Sequence, residues 1–334
     1  MERLKKNLVL ALGLGLAVYL VLAVLSGLSD LRAALAGFDY FLIPAILGLV
    51  SLSYTVRFAR WAYYLRLLRV RIPLRTNAAI FAAGLSMAIS PGKLGEVLKS
   101  VFVKDVAGAP VARTAPAVFA ERATDGTGMI AWGLVGALAF SFGPWLLLLF
   151  LAFTVMGIAI LRSKELSLFT EKILSKLPLL SNLAPHMRDF HGASNELLAF
   201  RPLVVTSIVS FVGWGLECLA VYLCALGVGA GKPFLVIVFI FAVSSLAGVL
   251  SMLPGGIGVA EAGLAGMFAS VAELPGGLSV ALTFVIRLAT LWFATLIGVM
   301  GLLLVRRIVG RRTDATAAEA QLRTSTNRSI VDED

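Results

Sequence analysis

The stretch Pro254-Gly255-Gly256-Ile257-Gly258-Val259-Ala260-Glu261 decides how this chain is read, because a second copy of the device lies at Pro91-Gly92-Lys93-Leu94-Gly95-Glu96. Each interrupts an apolar segment with the residues least compatible with a continuing helix, and each ends in a glutamate. The likeness continues downstream. From each glutamate a proline follows after 14 positions (Pro110, Pro275), and an arginine inside an apolar segment after 26 (Arg122, Arg287). Gly133 and Gly136 then correspond to Gly298 and Gly301. A Gly/Pro-broken apolar segment, duplicated together with a carboxylate and a guanidinium, is the pattern of a transporter assembled from internal repeats.

Composition sets the environment. Of 334 residues, 59% are hydrophobic and 14% charged, with a mean hydropathy of +0.93, which excludes an ordinary soluble domain. A membrane-crossing helix needs about 20 mostly apolar residues, and windows near 8–28, 41–58, 114–140, 145–161, 203–226 and 279–305 qualify. The expected fold class is an all-α polytopic membrane protein: about six transmembrane helices plus two re-entrant Pro-Gly-broken hairpins. The first window follows Arg3, Lys5 and Lys6 but is too long for a signal peptide and lacks a small-residue cleavage site, so a retained anchor is expected. Cys218 and Cys224 lie inside an apolar span, where packing is the expected role. The net charge of +10 gathers beside the spans, which points to anionic lipid head groups and away from nucleic acid.

Positive residues of short loops mark the cytoplasmic side. Lys5 and Lys6, the run Arg57, Arg60, Arg66, Arg69, Arg71 and Arg75, and the group Arg306, Arg307, Arg311 and Arg312 place both termini inside, as for a bacterial inner membrane. Arg75, Lys99, Lys104 and Arg113 flank the first broken segment on both sides, so it enters and leaves on the cytoplasmic face. By the same count the second, near 234–272, enters from outside. Repeat 1 (about 76–140) and repeat 2 (about 234–305) then have inverted topology within one membrane domain, 1–312. The segment near 163–201 mixes charges with leucines at helical intervals and is expected to form amphipathic cytoplasmic helices near the head groups. It holds His186 and His191, five apart and without a ligand cluster, so no metal site is expected. Residues 313–334 have the composition of a disordered polar tail.

Ionisable groups at membrane depth are costly and are functional candidates by default. Glu96, Glu121, Arg122, Asp125, Glu217, Glu261 and Arg287 lie in or beside apolar segments, and Lys93 sits in the first break. Arg122 and Arg287 suit a phosphate head group, because guanidinium binds its oxygens bidentately. The alternative is structural: Glu96 pairs with Arg122 and Glu261 with Arg287, locking each hairpin to its neighbouring span. Asp125, three positions after Arg122, makes an internal pair easy. Glu217 has no partner evident in the sequence and can either titrate or pair across the bundle. Arg57 and Arg60, among Trp61, Tyr63 and Tyr64, read either as an ordinary interfacial span end or as collectors of an anionic lipid.

At these residues the chain resembles the transmembrane region of lysylphosphatidylglycerol synthases and their stand-alone flippase-like relatives. The carriers are Arg57-x-x-Arg60-Trp61, Pro91-Gly92-Lys93-Leu94-Gly95-Glu96, Glu121-Arg122-x-x-Asp125, Leu253-Pro254-Gly255-Gly256-Ile257-Gly258-x-x-Glu261 and Arg287. Lys93 stands where relatives often have arginine, which keeps charge and loses the bidentate fork. The resemblance implies movement between leaflets of an anionic or aminoacylated phospholipid or a lipid-linked sugar. It does not imply aminoacyl transfer, which in two-part synthases belongs to a soluble C-terminal domain; this chain is expected to be the form without it. No nucleotide motif or catalytic constellation is evident, so neither a cofactor nor an enzymatic activity is expected. Two other classes stay open: a membrane subunit for a separately encoded lipid-modifying enzyme, and an intramembrane lipid-phosphate or glycosyl transferase.

Overall fold

The structure is a computed structural model that describes residues 21, 24, 28–90, 95–140, 143–163, 165 and 184–310. The first expected span, the residues Pro91, Gly92 and Lys93, and the polar tail lie largely or wholly outside the described residues. Every regular element described is helical: α1 Leu28–Ala36, α2 Ile43–Leu67, α3 Leu74–Leu85, α4 Leu98–Ala107, α5 Val111–Ala137, α6 Gly143–Arg162, α7 Ala184–Leu197, α8 Phe200–Gly227, α9 Phe234–Leu250, α10 Val259–Ser270 and α11 Gly276–Gly310. The chain is an all-α polytopic membrane protein. Among the described residues, the helical segments Tyr40–Leu67, Phe200–Gly227 and Gly276–Gly310 are long and apolar enough to cross a bilayer. Helix α5 is comparably long at 27 residues but carries Glu121, Arg122 and Asp125.

Helices α2 and α11 both outrun their apolar windows. Helix α2 continues through Arg57, Arg60, Trp61 and Tyr64 to Leu67, because those side chains find partners inside the protein. Helix α11 contains a π-helical turn at Leu288–Trp292, directly after Arg287, a distortion common at functional sites.

Both broken segments fold back as helical hairpins. In the second, a methyl group on Gly248 would lie 2.9 Å from the Ala260 side chain and one on Gly263 3.1 Å from Ser244 Oγ, so α9 and α10 run antiparallel. The break turns through Gly255, Gly256 and Gly258, whose φ angles of 63°, 65° and 94° are ones that other residues rarely adopt. In the first, α3 and α4 pack together, and the Gly95 amide donates to Ser90 Oγ at 2.8 Å. The short helical turns Ser86–Ile89 and Pro254–Gly256 touch, and Ala88, Ile257 and Leu291 form a small apolar cluster beside the π turn.

The repeats are interlocked. A methyl group on Gly136 of α5 would lie 2.6 Å from the Phe239 amide nitrogen of α9. One on Gly301 of α11 would lie 2.6 Å from the Ala83 amide nitrogen of α3. The long helix of each repeat therefore grips the hairpin of the other at equivalent glycines, the small-residue contact by which helices associate where burial in lipid supplies no drive.

Contact registers also fix direction. Phe58 meets Phe81 and Trp61 meets Asn77, so α2 and α3 are antiparallel. Gly298 lies against Ser86 and Gly301 against Ala82, so α3 and α11 are antiparallel and α11 runs with α2. Ser53 bonds Gly213 and Arg60 bonds Ser210, making α8 antiparallel to α2. Gly128 faces Ser210 while Gly215 faces Trp132, so α5 runs with α8. Helices α5 and α11 thus run in opposite directions, the relation expected of inverted repeats.

Helix α7, from the amphipathic insertion, turns its apolar face to the protein. It packs on α5 and α6, burying Ala193 and Leu197 and setting Phe190 against Phe119 at 5.7 Å between rings. Cys218 and Cys224 are buried free thiols.

Candidate functional site

A cavity of about 120 Å³ opens between the two hairpin tips and helices α2, α5, α8 and α11. Its lining brings Arg57 from α2, Arg122 from α5 and Arg287 from α11 around one space, with Glu96 and Glu217 as the acidic members. Three guanidiniums and two carboxylates line the space, and Glu261, the partner of Arg287, stands behind the wall. Val249 and Leu253, 42% and 41% exposed, give it an apolar rim.

Both predicted repeat pairs form. Arg287 Nε lies 2.7 Å from Glu261 Oε1, and its Nη2 donates to the Gly255 carbonyl at 2.8 Å. The other Glu261 oxygen accepts the Gly258 amide at 2.7 Å, so the carboxylate holds the start of α10, where unsatisfied amides and the helix dipole favour negative charge. Glu261 is completely buried and stands behind the cavity wall.

The first repeat builds a larger network. Arg122 Nη2 reaches Glu96 at 3.2 Å and Asp125 at 3.0 Å. Asp125 also accepts from Arg60 at 2.7 Å, Ser210 at 3.1 Å and Trp214 at 3.3 Å. Lys99 is paired to Glu121 and lies 3.7 Å from Glu96. Its ammonium sits 4.5 Å from the Trp61 ring centre, and its stem occupies the space that a side chain on Gly84 would need. At the matching positions 165 residues on, Lys99, Glu121 and Asp125 give way to Leu264, Ile286 and Thr290. The duplicated device has diverged into a charged half and a clamped half.

The third element lies outside both repeats. Arg57 and Glu217 pair between α2 and α8, and the Arg57 guanidinium stacks 4.3 Å from the Trp214 ring centre. The Tyr54 hydroxyl donates to the Thr290 carbonyl at 2.8 Å, engaging the π turn. Nε of Arg57 and Nε of Arg122 are buried and have no hydrogen-bond partner among the described residues.

Two expectations need correction. Arg60 is not in the head-group layer: it is 1% exposed and bonded to Asp125, Thr124 and Ser210. Lys99, used as an interfacial flank, is 2% exposed and neutralises buried acids. The sequence reading missed Lys99 as a network member, although its position three residues after Glu96 signals a same-face pair. Tyr54 left no signal, since its partner lies 236 residues away.

Fold and site together define a helical membrane protein whose duplicated, broken hairpins enclose an arginine-lined cavity. Residues 10–298 match the family described as the lysylphosphatidylglycerol synthase TM region, and the chain belongs to that family. It is similar to a UPF0104 membrane protein of Methanothermobacter thermautotrophicus, 27% identical over 305 positions that cover 85% of this chain and 90% of the relative. A UPF0104 membrane protein of Pyrococcus horikoshii is 23% identical over 286 positions, covering 77% of this chain and 85% of that one.

Proposed function

We propose that the protein moves a lipid with an anionic head group between leaflets, the head group crossing in the arginine-lined cavity while the acyl chains stay in the bilayer. The observation that carries this reading is the convergence of Arg57, Arg122 and Arg287 on one cavity between two broken hairpins. A phosphodiester meets guanidinium forks there, and Val249 and Leu253 at the rim leave its chains an apolar way out.

The hairpins support the same reading. Arms of 12 residues in α3 and 10 in α4 reach only about 18 and 15 Å, short of the roughly 30 Å hydrocarbon layer, so the pair suits a re-entrant insertion. The basic flanks favour a bacterial inner membrane with both termini cytoplasmic. The family description names a lipid-modifying synthase, which adds weight to phospholipid as cargo.

Leaflet exchange of head-group-labelled phosphatidylglycerol in proteoliposomes tests the proposal, comparing wild type with Arg57→Ala and Arg122→Ala. Exchange by the wild type that both folded variants lose supports a translocase. Folded wild type without exchange of anionic, aminoacylated or sugar-linked lipids would favour a partner subunit of a lipid-modifying enzyme.

A further inference from the structure

We infer that the Arg57–Glu217 pair couples head-group binding to the uptake of one proton, with Glu217 as the group that takes it; this rests on the translocase reading. Four observations converge on that pair.

The described charges balance. Among the described residues, Arg60, Lys99 and Arg122 form one ion-pair network with Glu96, Glu121 and Asp125, and Arg57–Glu217 and Arg287–Glu261 form two further pairs, five cations to five acids. A phosphodiester monoanion entering this region makes it net negative, and a poorly solvated site does not hold an uncompensated charge. One proton restores neutrality.

The acids are held unequally. Asp125 is held by Arg60, Arg122, Ser210 and Trp214, and Glu261 by Arg287 and the Gly258 amide. Glu96 faces both Arg122 and Lys99, and Glu121, paired with Lys99, is 1% exposed and away from the cavity wall. Glu217 lines the cavity with Arg57 as its ion-pair partner among the described residues.

The guanidinium geometry makes phosphate and carboxylate compete. Glu217 holds Nη2 of Arg57, while the adjacent Nε is buried without a partner among the described residues. A phosphodiester that binds the Arg57 guanidinium from the cavity competes for the Nη2 donor that Glu217 holds. Stacking on Trp214 keeps the guanidinium plane in place during the exchange.

Among the described residues, which do not include Lys93, no other cation is placed to replace it. The charged or titratable groups facing Glu217 are Tyr54 and Arg57 on α2, Cys218 on its own helix, Arg287 on α11, and Glu96 and Arg122 across the cavity. From α5 and α9 come Met129, Phe241 and Ser245, none of them ionic. Arg287 is committed to Glu261 and the Gly255 carbonyl, Arg122 to Glu96 and Asp125, and the Tyr54 hydroxyl proton to Thr290. The released carboxylate therefore takes a proton supplied by bulk solvent and relayed through cavity water: an O–H bond of hydronium breaks, one forms on Glu217, water is left, and the guanidinium stays protonated, now bound to phosphate. Release of the lipid returns Arg57 to Glu217 and frees the proton.

Two measurements test this on the full-length protein. In weakly buffered detergent solution with a pH indicator, short-chain phosphatidylglycerol is added to wild type and to Glu217→Gln. In proteoliposomes, a pH gradient of one unit is imposed and the leaflet distribution of labelled phosphatidylglycerol is read. The expected results are one proton taken up per lipid bound by the wild type and none by the folded variant. The leaflet ratio should shift about tenfold per pH unit in the wild type, as one-proton linkage requires, and not at all in the variant. Binding without proton uptake, or a leaflet ratio indifferent to the gradient while exchange proceeds, overturns this inference and leaves the translocase intact. Equal uptake by wild type and variant overturns the assignment to Glu217. Neither binding nor exchange at any pH overturns the translocase reading and this inference with it. The wild-type proton count and gradient response decide the matter even where the variant fails to fold.

Discussion

Arg287 and Glu261 meet at 2.7 Å with the carboxylate wholly buried, and the same guanidinium holds the Gly255 carbonyl, so one side chain bolts α11 to the second hairpin break. Glu261→Gln leaves Arg287 without its counter-charge and gives the Gly258 amide a weaker partner. The variant should unfold with a loss of about 3 kcal/mol or more, read from thermal unfolding in detergent. A Tm equal to that of the wild type would refute the clamp.

Close helix approach at Gly136 and Gly301 makes both positions intolerant of a side chain. The new methyl would meet backbone atoms 2.6 Å away, which cannot swing aside. Gly136→Ala and Gly301→Ala should each cost about 1–3 kcal/mol, a typical overpacking penalty. Gly48→Ala, with no atom within 4 Å of the added carbon, serves as the neutral control. Parallel melting curves for all three would refute the interlock.

Lys99 neutralises Glu121 in a space where neither side chain is more than 2% exposed. Lys99→Met should destabilise by about 3–5 kcal/mol, because it strands a buried carboxylate. Adding Glu121→Gln should recover part of that loss, and a double-mutant cycle measures the coupling. Strict additivity would show that the two groups do not depend on each other.

At Arg57, Lys keeps the charge but loses the planar stack on Trp214 and the Nη2 donor that faces Glu217. Arg57→Lys should weaken phosphatidylglycerol binding roughly tenfold or more, the size of one lost charge-assisted bond, while melting close to the wild type. Titration with the labelled lipid checks it, and unchanged affinity would remove Arg57 from the site.

Much of the architecture was legible because membrane insertion imposes long-range rules on composition. Runs near 203–226 and 279–305 could only be helices, and the resulting α8 and α11 extend a few residues beyond them. The 26-residue offset offered Glu96–Arg122 and Glu261–Arg287 as one of two readings of these charges, and both pairs form because the duplicated spacing returns each arginine to its own hairpin. Arg60 and Lys99 were misplaced for one reason: a basic residue at a span end looks the same whether it reaches head groups or a buried acid. Which it reaches depends on Asp125 and Glu121, which are 65 and 22 residues away.

The sequence by itself determined an all-helical membrane protein and its duplication, and offered the pairs built on repeat spacing, because hydropathy and local periodicity act along the chain. Tertiary structure alone decided that Arg57 meets Glu217 across 160 residues, that the short turns Ser86–Ile89 and Pro254–Gly256 touch, and that each repeat's long helix grips the other's hairpin. Those contacts arise from close packing at glycines and from buried charges seeking opposite charges, forces that depend on distance in space and leave no fixed spacing in the chain.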